Sequence, residues 1–81
     1  MRGALVRKGD RIPQRKIVTK REREVLNCLK RGKTNADIAI VLGISENTVK
    51  FHMKAIMRKL RVITRSHCVA VAIRRRLISL R

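Results

Sequence analysis

Apolar residues recur three and four positions apart along most of the chain after position 19, which is the spacing of one face of an α-helix. A Ser or Thr, the residue types that cap helix N-termini, precedes each apolar stretch. The pattern predicts an all-α fold, a four-helix bundle with short connections. The predicted helices run from Lys20 to about Arg31, from Asn35 to Leu42, from about Glu46 to Leu60 and from Arg65 to about Leu77.

Each predicted helix has one apolar face that we expect to lie in a shared core. Because Phe51 is the only aromatic residue, this core must consist of Leu, Ile and Val. The faces, in chain order, are Val25, Leu26 and Leu29 with Cys28 at the edge; Ile38, Ala39, Val41 and Leu42; Val49, Met53, Ile56 and Leu60; and Val69, Ala72, Ile73 and Leu77.

The second and third helices have the spacing of a helix-turn-helix. Ala39 is followed four residues later by Gly43, and Val49 comes six residues after that glycine. The small residue lets two helices cross closely, the glycine takes a left-handed turn, and the apolar residue seats the second helix on the first. Ser45 then caps the third helix.

The third helix is predicted to have two opposed faces. Opposite its apolar stripe lie five polar, cationic or aromatic residues, namely Asn47, Lys50, Phe51, Lys54 and Arg58. Lys50 and Lys54 are one turn apart and could reach guanine O6 and N7 or nearby phosphates. Phe51 lies on this cationic side, where a thymine methyl in a major groove would cover it; the alternative is that it closes a gap in its own domain.

The fourth helix has a second, narrower apolar seam in its sequence. Val71 and Ile78 are seven residues apart and are predicted to lie opposite the inward stripe, with His67, Ala70 and Arg74 around them. Such a seam is typical of contact with a partner helix. Ordinary exposed apolar residues are the alternative, and the pattern does not decide between the two.

Charge narrows the class of partner. The 81 residues include 22 Lys and Arg against 5 Asp and Glu, a net charge of +17, which attracts polyanions and makes nucleic acid the leading partner. A solvated basic surface or an anionic membrane would be the alternatives. No apolar run approaches the ~20 residues of a membrane span, and no apolar signal core is present, so we expect a cytoplasmic protein without a membrane partner.

Residues 1–18 have no sustained periodicity and contain the only proline, which predicts a flexible basic arm or linker ahead of a domain over residues 19–81. This arm is either a solvated tail or an additional contact to phosphates or the minor groove.

No catalytic or cofactor chemistry is expected. Cys28 and Cys68 form no C-x-x-C pair, and with His52 and His67 they lack the ligand spacing of a zinc site. We expect buried thiols, no metal and no cofactor. The sequence also contains no nucleophile–base pair and no phosphate-binding glycine loop, so an enzyme is the least favoured class.

From Thr19 to Ile78 the chain resembles the DNA-binding domain of LuxR/FixJ/NarL-type bacterial transcription regulators, the GerE-like helix-turn-helix family. The residues that carry the resemblance are Thr19, Arg21 to Leu26, Gly32 to Asn35, Ile38-Ala39, Leu42 to Ser45, Thr48 to His52, Lys59-Leu60, Val62, Arg65 and Val69. The resemblance implies a four-helix domain that binds promoter DNA as a dimer, with the third helix in the major groove and the fourth at the dimer contact.

The resemblance also assigns site residues. The family's base contacts fall on Lys50, Phe51 and Lys54, the same three residues that the opposed face selects, and Asn47 lies beside them. The expected phosphate contacts are Lys33, Thr34, Asn35, Thr48, Arg58 and Arg65, and the expected dimer interface is His67, Ala70, Val71, Arg74 and Ile78.

Two arginines depart from the family pattern. Arg61 stands where the family often has glycine, which predicts a different end for the third helix or a strained residue at a cost of about 1 kcal/mol. Arg76 replaces the glycine that usually ends the last helix, and we therefore expect that helix to continue towards Leu80.

The sequence thus predicts a sequence-specific binder of double-stranded promoter DNA, either a single-domain transcription regulator or the output domain of one, acting as a homodimer on DNA and possessing no enzymatic activity. Further partners could be RNA polymerase or a larger regulator. One alternative is an interaction protein that heterodimerises with a larger relative through Val71 and Ile78. The other is a non-specific nucleic-acid binder, against which the two opposed faces of the third helix argue.

Overall fold

The computed structural model describes residues 17–80, and this range contains four α-helices and no strand. The helices are α1 (Lys20–Lys30), α2 (Asn35–Leu42), α3 (Glu46–Leu60) and α4 (Arg65–Arg74). The predicted all-α, four-helix fold is confirmed. Residues 1–16 of the predicted basic arm lie outside the described residues.

Every helix begins at the Ser or Thr that the sequence predicts as its cap. In each case the side-chain oxygen accepts a hydrogen bond from the backbone N–H three residues on, which satisfies a donor that the helix leaves unpaired. In α1 and α2 an acidic side chain also accepts from the backbone of the cap, completing a capping box. The four caps are Thr19, Thr34, Ser45 and Thr64.

Every helix is followed, within two residues of its end, by a residue with positive φ whose N–H, together with the next N–H, bonds back to carbonyls of the helix. Two of these residues are glycines, which adopt this conformation without strain. The other two are arginines. The φ angles are 78° at Gly32, 69° at Gly43, 58° at Arg61 and 60° at Arg76.

The end of α4 corrects the sequence prediction. The helix stops at Arg74 rather than continuing to Leu77 or Leu80. Arg76 takes the left-handed conformation in place of glycine, and its N–H bonds to the carbonyl of Ile73 at 2.9 Å. The resulting turn brings Leu77 into the core, where it is 4% exposed. Burial of this leucine outweighs the strain at the arginine, which costs about 1 kcal/mol.

At the end of α3 the predicted strain is confirmed. Arg61 has φ 58° and ψ 47°, and its N–H bonds to the carbonyl of Arg58. The next residue, Val62, bonds back to Met57 and is buried in the core. The end of α4 has the same arrangement: an arginine adopts the left-handed conformation, and the apolar residue that follows it is buried.

One continuous core joins the four helices. It includes Val18, which is 1% exposed, and Ile17 packs against it. The predicted boundary between residues 18 and 19 is therefore wrong for these two residues, because the chain enters the core before the first cap. The other buried apolar residues are Val25, Leu26, Cys28, Leu29, Ile38, Ala39, Val49, Met53, Ile56, Leu60, Val62, Cys68, Val71, Ala72, Leu77 and Ile78.

Two apolar residues predicted to face outwards on the fourth helix are instead buried. Val71 is 5% exposed and Ile78 is 6% exposed. The α4 helix packs against α1 and α3, and its buried side is wider than the predicted stripe, because it includes Cys68 and Val71 as well as Ala72. Ile78 follows the turn at Arg76, so helical periodicity no longer determines its direction.

The opposite error occurs on α2. Val41 was predicted to face the core but is 59% exposed, and its neighbour Ile40 is 80% exposed. Only Ile38 and Ala39 are buried in this helix, with Leu42 partly buried. A helix of eight residues that rests on α1 and α3 buries one narrow side, so an almost wholly apolar sequence leaves apolar residues outside.

A partly buried ion pair joins the start of α1 to the end of α3. The Oε1 atom of Glu22 accepts hydrogen bonds from the Thr19 N–H at 2.9 Å and from Lys59 Nζ at 2.7 Å, and Glu22 is 5% exposed. Burial by itself raises the pKa of this carboxyl. The hydrogen bonds from Lys59 and Thr19 and the nearby positive charge together lower it by more than burial raises it, so the pKa lies below its ordinary value.

Candidate nucleic-acid interface

The predicted opposition of faces on α3 is present in the structure. Its apolar stripe, Val49, Met53, Ile56 and Leu60, is buried. The five residues of the opposite stripe are all exposed, and we call them the α3 outer face: Asn47, Lys50, Phe51, Lys54 and Arg58. Three of the five are cations, so this face combines positive charge with long, hydrogen-bonding side chains.

The aromatic ring in the α3 outer face is exposed to solvent. Phe51 is 68% exposed, and its ring meets the neighbouring His52 ring edge-on with centroids 5.8 Å apart. The alternative that Phe51 closes a gap in its own domain is therefore wrong. An exposed phenyl ring on a cationic face is unfavourable in water and would gain by contact with an apolar group of a ligand.

The turn between α2 and α3 holds the α3 outer face away from the core. Gly43 has the predicted left-handed conformation, and Ile44 donates its N–H to the carbonyl of Ala39 at 3.0 Å while its side chain packs on the core. Ile38 of α2 and Val49 of α3 are both fully buried and belong to the same core. This is the helix-turn-helix arrangement that the spacing predicts.

A second group of predicted site residues meets where three helices begin. Lys33, Thr34, Asn35 and Arg65 line one groove of about 830 Å³ between the end of α1 and the starts of α2, α3 and α4. The other residues lining the groove are Leu29, Gly32, Ala36, Glu46, Ser66 and Val69. Four of the six predicted phosphate contacts are therefore neighbours.

The remaining two predicted phosphate contacts lie on α3. Arg58 is exposed on its outer face, and Thr48 lies in its first turn, partly buried. The hydroxyl of Thr48 is 2.9 Å from that of Ser45, which caps the helix. Neither residue lines the groove.

The first residue of α4 is bonded to the first residue of α2. Arg65 donates from Nη1 to Oδ1 of Asn35 at 2.8 Å and from Nη2 to the carbonyl of Lys33 at 3.4 Å. The sequence predicts both side chains only as separate phosphate contacts and does not reveal this link. Nothing local predicts it, because the partners are 30 and 32 residues apart in the chain.

The predicted dimer residues divide into two sets. His67, Ala70 and Arg74 are exposed on α4, whereas Val71 and Ile78 are in the core. Those two residues therefore cannot form an outward seam in this fold. The alternative that the domain pairs with a larger regulator through these two side chains is wrong for the same reason.

The cysteines are placed as predicted, buried and without a disulfide. Burial raises the pKa of the Cys68 thiol above its ordinary value. Across residues 17–80 no group of three or more His, Cys, Asp or Glu side chains is arranged to hold a metal ion. None of the four helices is both long enough and apolar enough to cross a bilayer.

The domain is basic and contains a helix-turn-helix whose second helix, α3, has an exposed cationic face. These features are typical of helix-turn-helix regulatory domains. The family model for the bacterial regulatory proteins of the LuxR family matches residues 16–72. The chain therefore belongs to the LuxR family of bacterial regulatory proteins.

The named relatives are regulatory proteins. The regulatory protein SdiA of Escherichia coli is 42% identical over 74 residues, covering 85% of this chain and 30% of SdiA. The transcriptional activator ExpR of Dickeya dadantii is 37% identical over 62 residues, covering 76% of this chain and 25% of ExpR. The chain thus spans less than a third of the length of these relatives.

Solved structures agree on the fold. The transcription factor GerE superposes with a TM-score of 0.76 at 38% identity, covering 80% of this chain and 97% of the GerE chain. The response regulator ChrA of a heme-sensing two-component system superposes with a TM-score of 0.74 at 41% identity, covering 75% of this chain and 30% of ChrA.

Proposed function

We propose that this domain binds double-stranded DNA in a sequence-specific manner, as a transcription regulator or as the output domain of one, with α3 in the major groove. The observation that carries the proposal is the α3 outer face. An α-helix fits the major groove, and a face with cationic and amide side chains around one exposed ring matches the chemistry of base edges there.

Base recognition is assigned to four side chains of the α3 outer face. Lys50 and Lys54 would donate to guanine O6 and N7, and Asn47 would donate and accept at an adenine edge. Phe51 would contact a thymine methyl, which removes its ring from water. Its 68% exposure supports this assignment, because the domain itself does not cover the ring.

Phosphate contact is assigned to the rim around that helix. Lys33, Thr34 and Asn35 lie at the start of α2, where backbone N–H groups and the helix dipole favour an anion. Thr48 and Arg58 would contact the backbone on either side of the base-reading residues. Such contacts supply most of the affinity and make it depend steeply on salt.

We further propose that two copies pair on DNA through α4. The predicted dimer residues that are exposed on that helix, His67, Ala70 and Arg74, offer a small and mainly polar surface. Because Val71 and Ile78 are buried in the monomer, pairing rests on little apolar area and is weak in solution. Adjacent half-sites on DNA would bring the copies together. RNA polymerase or a larger regulator is the expected further partner.

Selection from a random duplex library at about 150 mM salt tests the function, because this salt level suppresses purely electrostatic binding. We expect enrichment of an inverted repeat, which would also supply the operator. A variant in which Lys50 and Lys54 are both alanine is the control and should enrich no motif. If the unmodified chain binds at low salt but enriches nothing, the domain is a non-specific nucleic-acid binder and the proposal is wrong.

A further inference from the structure

The link between α4 and α2 changes the role of one cationic residue. Arg65 was assigned to phosphate, yet its guanidinium donates to Asn35 Oδ1 at 2.8 Å and lies 3.4 Å from the carbonyl of Lys33. One planar side chain therefore contacts a side chain and a backbone group at the start of another helix. A charged donor makes these bonds stronger than neutral ones.

This contact fixes which way the Asn35 amide faces. A guanidinium has only donors, so the amide must turn its oxygen towards Arg65. The Nδ2 group, with its two N–H donors, is then directed away from the guanidinium. Asn35 is the first residue of α2 and lines the groove with Thr34, at the helix end where an anion is favoured.

Arg65 lies where a positive charge is unfavourable, and its contact with α2 explains why an arginine is nevertheless present there. It is the first residue of α4, where a positive charge opposes the helix dipole. The other three helices each carry an acid in the first turn, and α4 carries none. Its bonds to Asn35 and Lys33, rather than the needs of its own helix, account for an arginine there.

We infer that Arg65 is a positioning residue for DNA binding, which orients the Asn35 amide so that Nδ2 donates to a DNA phosphate, and so couples the helix assigned to pairing with the helix-turn-helix. The inference rests on the proposed function, since it concerns the same DNA-binding surface. In this role Arg65 does not itself bind a phosphate, so its positive charge does not neutralise one.

Salt dependence separates the two roles. Affinity of the full chain for a random-sequence duplex of about 30 base pairs is measured between about 50 and about 200 mM salt, because the slope of log affinity against log salt counts neutralised phosphates at about 0.9 each. Arg65→Ala should weaken binding about fivefold to tenfold with the slope unchanged. Lys33→Ala removes a direct contact and should make the slope less steep by about 0.9.

Two further variants test the geometry. Arg65→Lys keeps the positive charge but lacks the planar fork, and it should bind as weakly as Arg65→Ala. Asn35→Ala and the double variant Arg65→Ala/Asn35→Ala should bind equally, because removal of Arg65 acts through Asn35. Thermal melting shows whether each variant is folded.

The inference is overturned if Arg65→Ala makes the salt slope less steep by about 0.9, if Arg65→Lys restores affinity, or if the losses of the two single variants add. Each of these outcomes can be told apart from a failure of the proposed function. That proposal is tested by sequence selection, whereas phosphate contacts are made on any duplex and are measured here on one of random sequence.

Discussion

The third and fourth helices of this domain use their apolar residues in different ways. The α3 helix buries one stripe and leaves a complete face outside, which includes the exposed ring of Phe51. The α4 helix packs on α1 and α3 and buries residues over a wider arc, including Val71, which its sequence places on a second seam. The surface that a helix leaves for a ligand therefore depends on how it packs in the fold as well as on its own apolar pattern.

This comparison assigns different roles to the two helices. We propose that the α3 outer face reads DNA, whereas the predicted dimer residues exposed on α4 form a smaller surface. Substitutions at the apolar residues of α4 should act on stability, and substitutions on the α3 outer face should act on binding.

The largest effect is expected where α4 and the segment after it enter the core. Ile78→Ala should lower the free energy of unfolding by about 2–4 kcal/mol, because it removes buried methyl groups and leaves a cavity. Urea denaturation measures the loss. The matched control is Leu80→Ala, which truncates a side chain that is 76% exposed and should leave stability nearly unchanged. Equal stabilities for the two variants would show that Ile78 belongs to an outer seam after all.

A smaller and different effect is expected on α3. Lys54→Ala should leave the melting temperature unchanged but relax base preference at one position of each half-site, at a cost of about 1–3 kcal/mol for the preferred base. Selection with the variant measures this directly. Lys20→Ala removes the same charge from an exposed position on α1 and should preserve the preference. A uniform loss on all sequences would make Lys54 a phosphate contact instead.

The two strained helix ends predict a gain in stability. Arg76→Gly should raise the free energy of unfolding by up to about 1 kcal/mol, because glycine adopts positive φ without strain. The greater conformational entropy of glycine in the unfolded chain offsets part of this gain. Arg75→Gly is the matched control, since the neighbouring arginine has φ −85° and gains nothing from glycine. If both variants are destabilised alike, the left-handed conformation at Arg76 carries no strain.

The sequence predicted most of what depends on neighbouring residues. The four caps, the glycine turn at Gly43 and both faces of α3 follow from spacings of three to six residues, and all are confirmed. The errors occur where distant packing decides. Burial of Leu77 draws Arg76 into a conformation that arginine alone disfavours, and the limited contacts of α2 leave Val41 exposed.

The candidate site shows the same division. Spacing identified the residues of the α3 outer face, because one helix displays them all. It could not identify the bond between Arg65 and Asn35, which joins the starts of two helices 30 residues apart. Spacing also could not show that Lys59 contacts Glu22, which lies 37 residues away, because the capping-box pattern predicts only a local partner for Glu22, namely Thr19.

The smallest expected effect is a pH dependence at Glu22. Its pKa is lower in the folded protein than the ordinary value of 4.5, so the ionised carboxylate is favoured by folding. This contribution is fully present above the ordinary value and is lost as the pH falls through the lower, folded value. Stability of the unmodified chain, measured by urea denaturation across this range, should therefore decline as acid is added.

Glu22→Gln isolates that contribution, because glutamine can still accept the Thr19 N–H bond but has no charge to pair with Lys59. The variant should be less stable than the unmodified chain at neutral pH, and the difference should shrink towards zero in acid, where the carboxyl of the unmodified chain is protonated. Lys59 is partly exposed and can be solvated when it loses its partner. A stability difference that stays constant with pH would mean that Glu22 acts through packing alone, and the junction between α1 and α3 would then not be electrostatic.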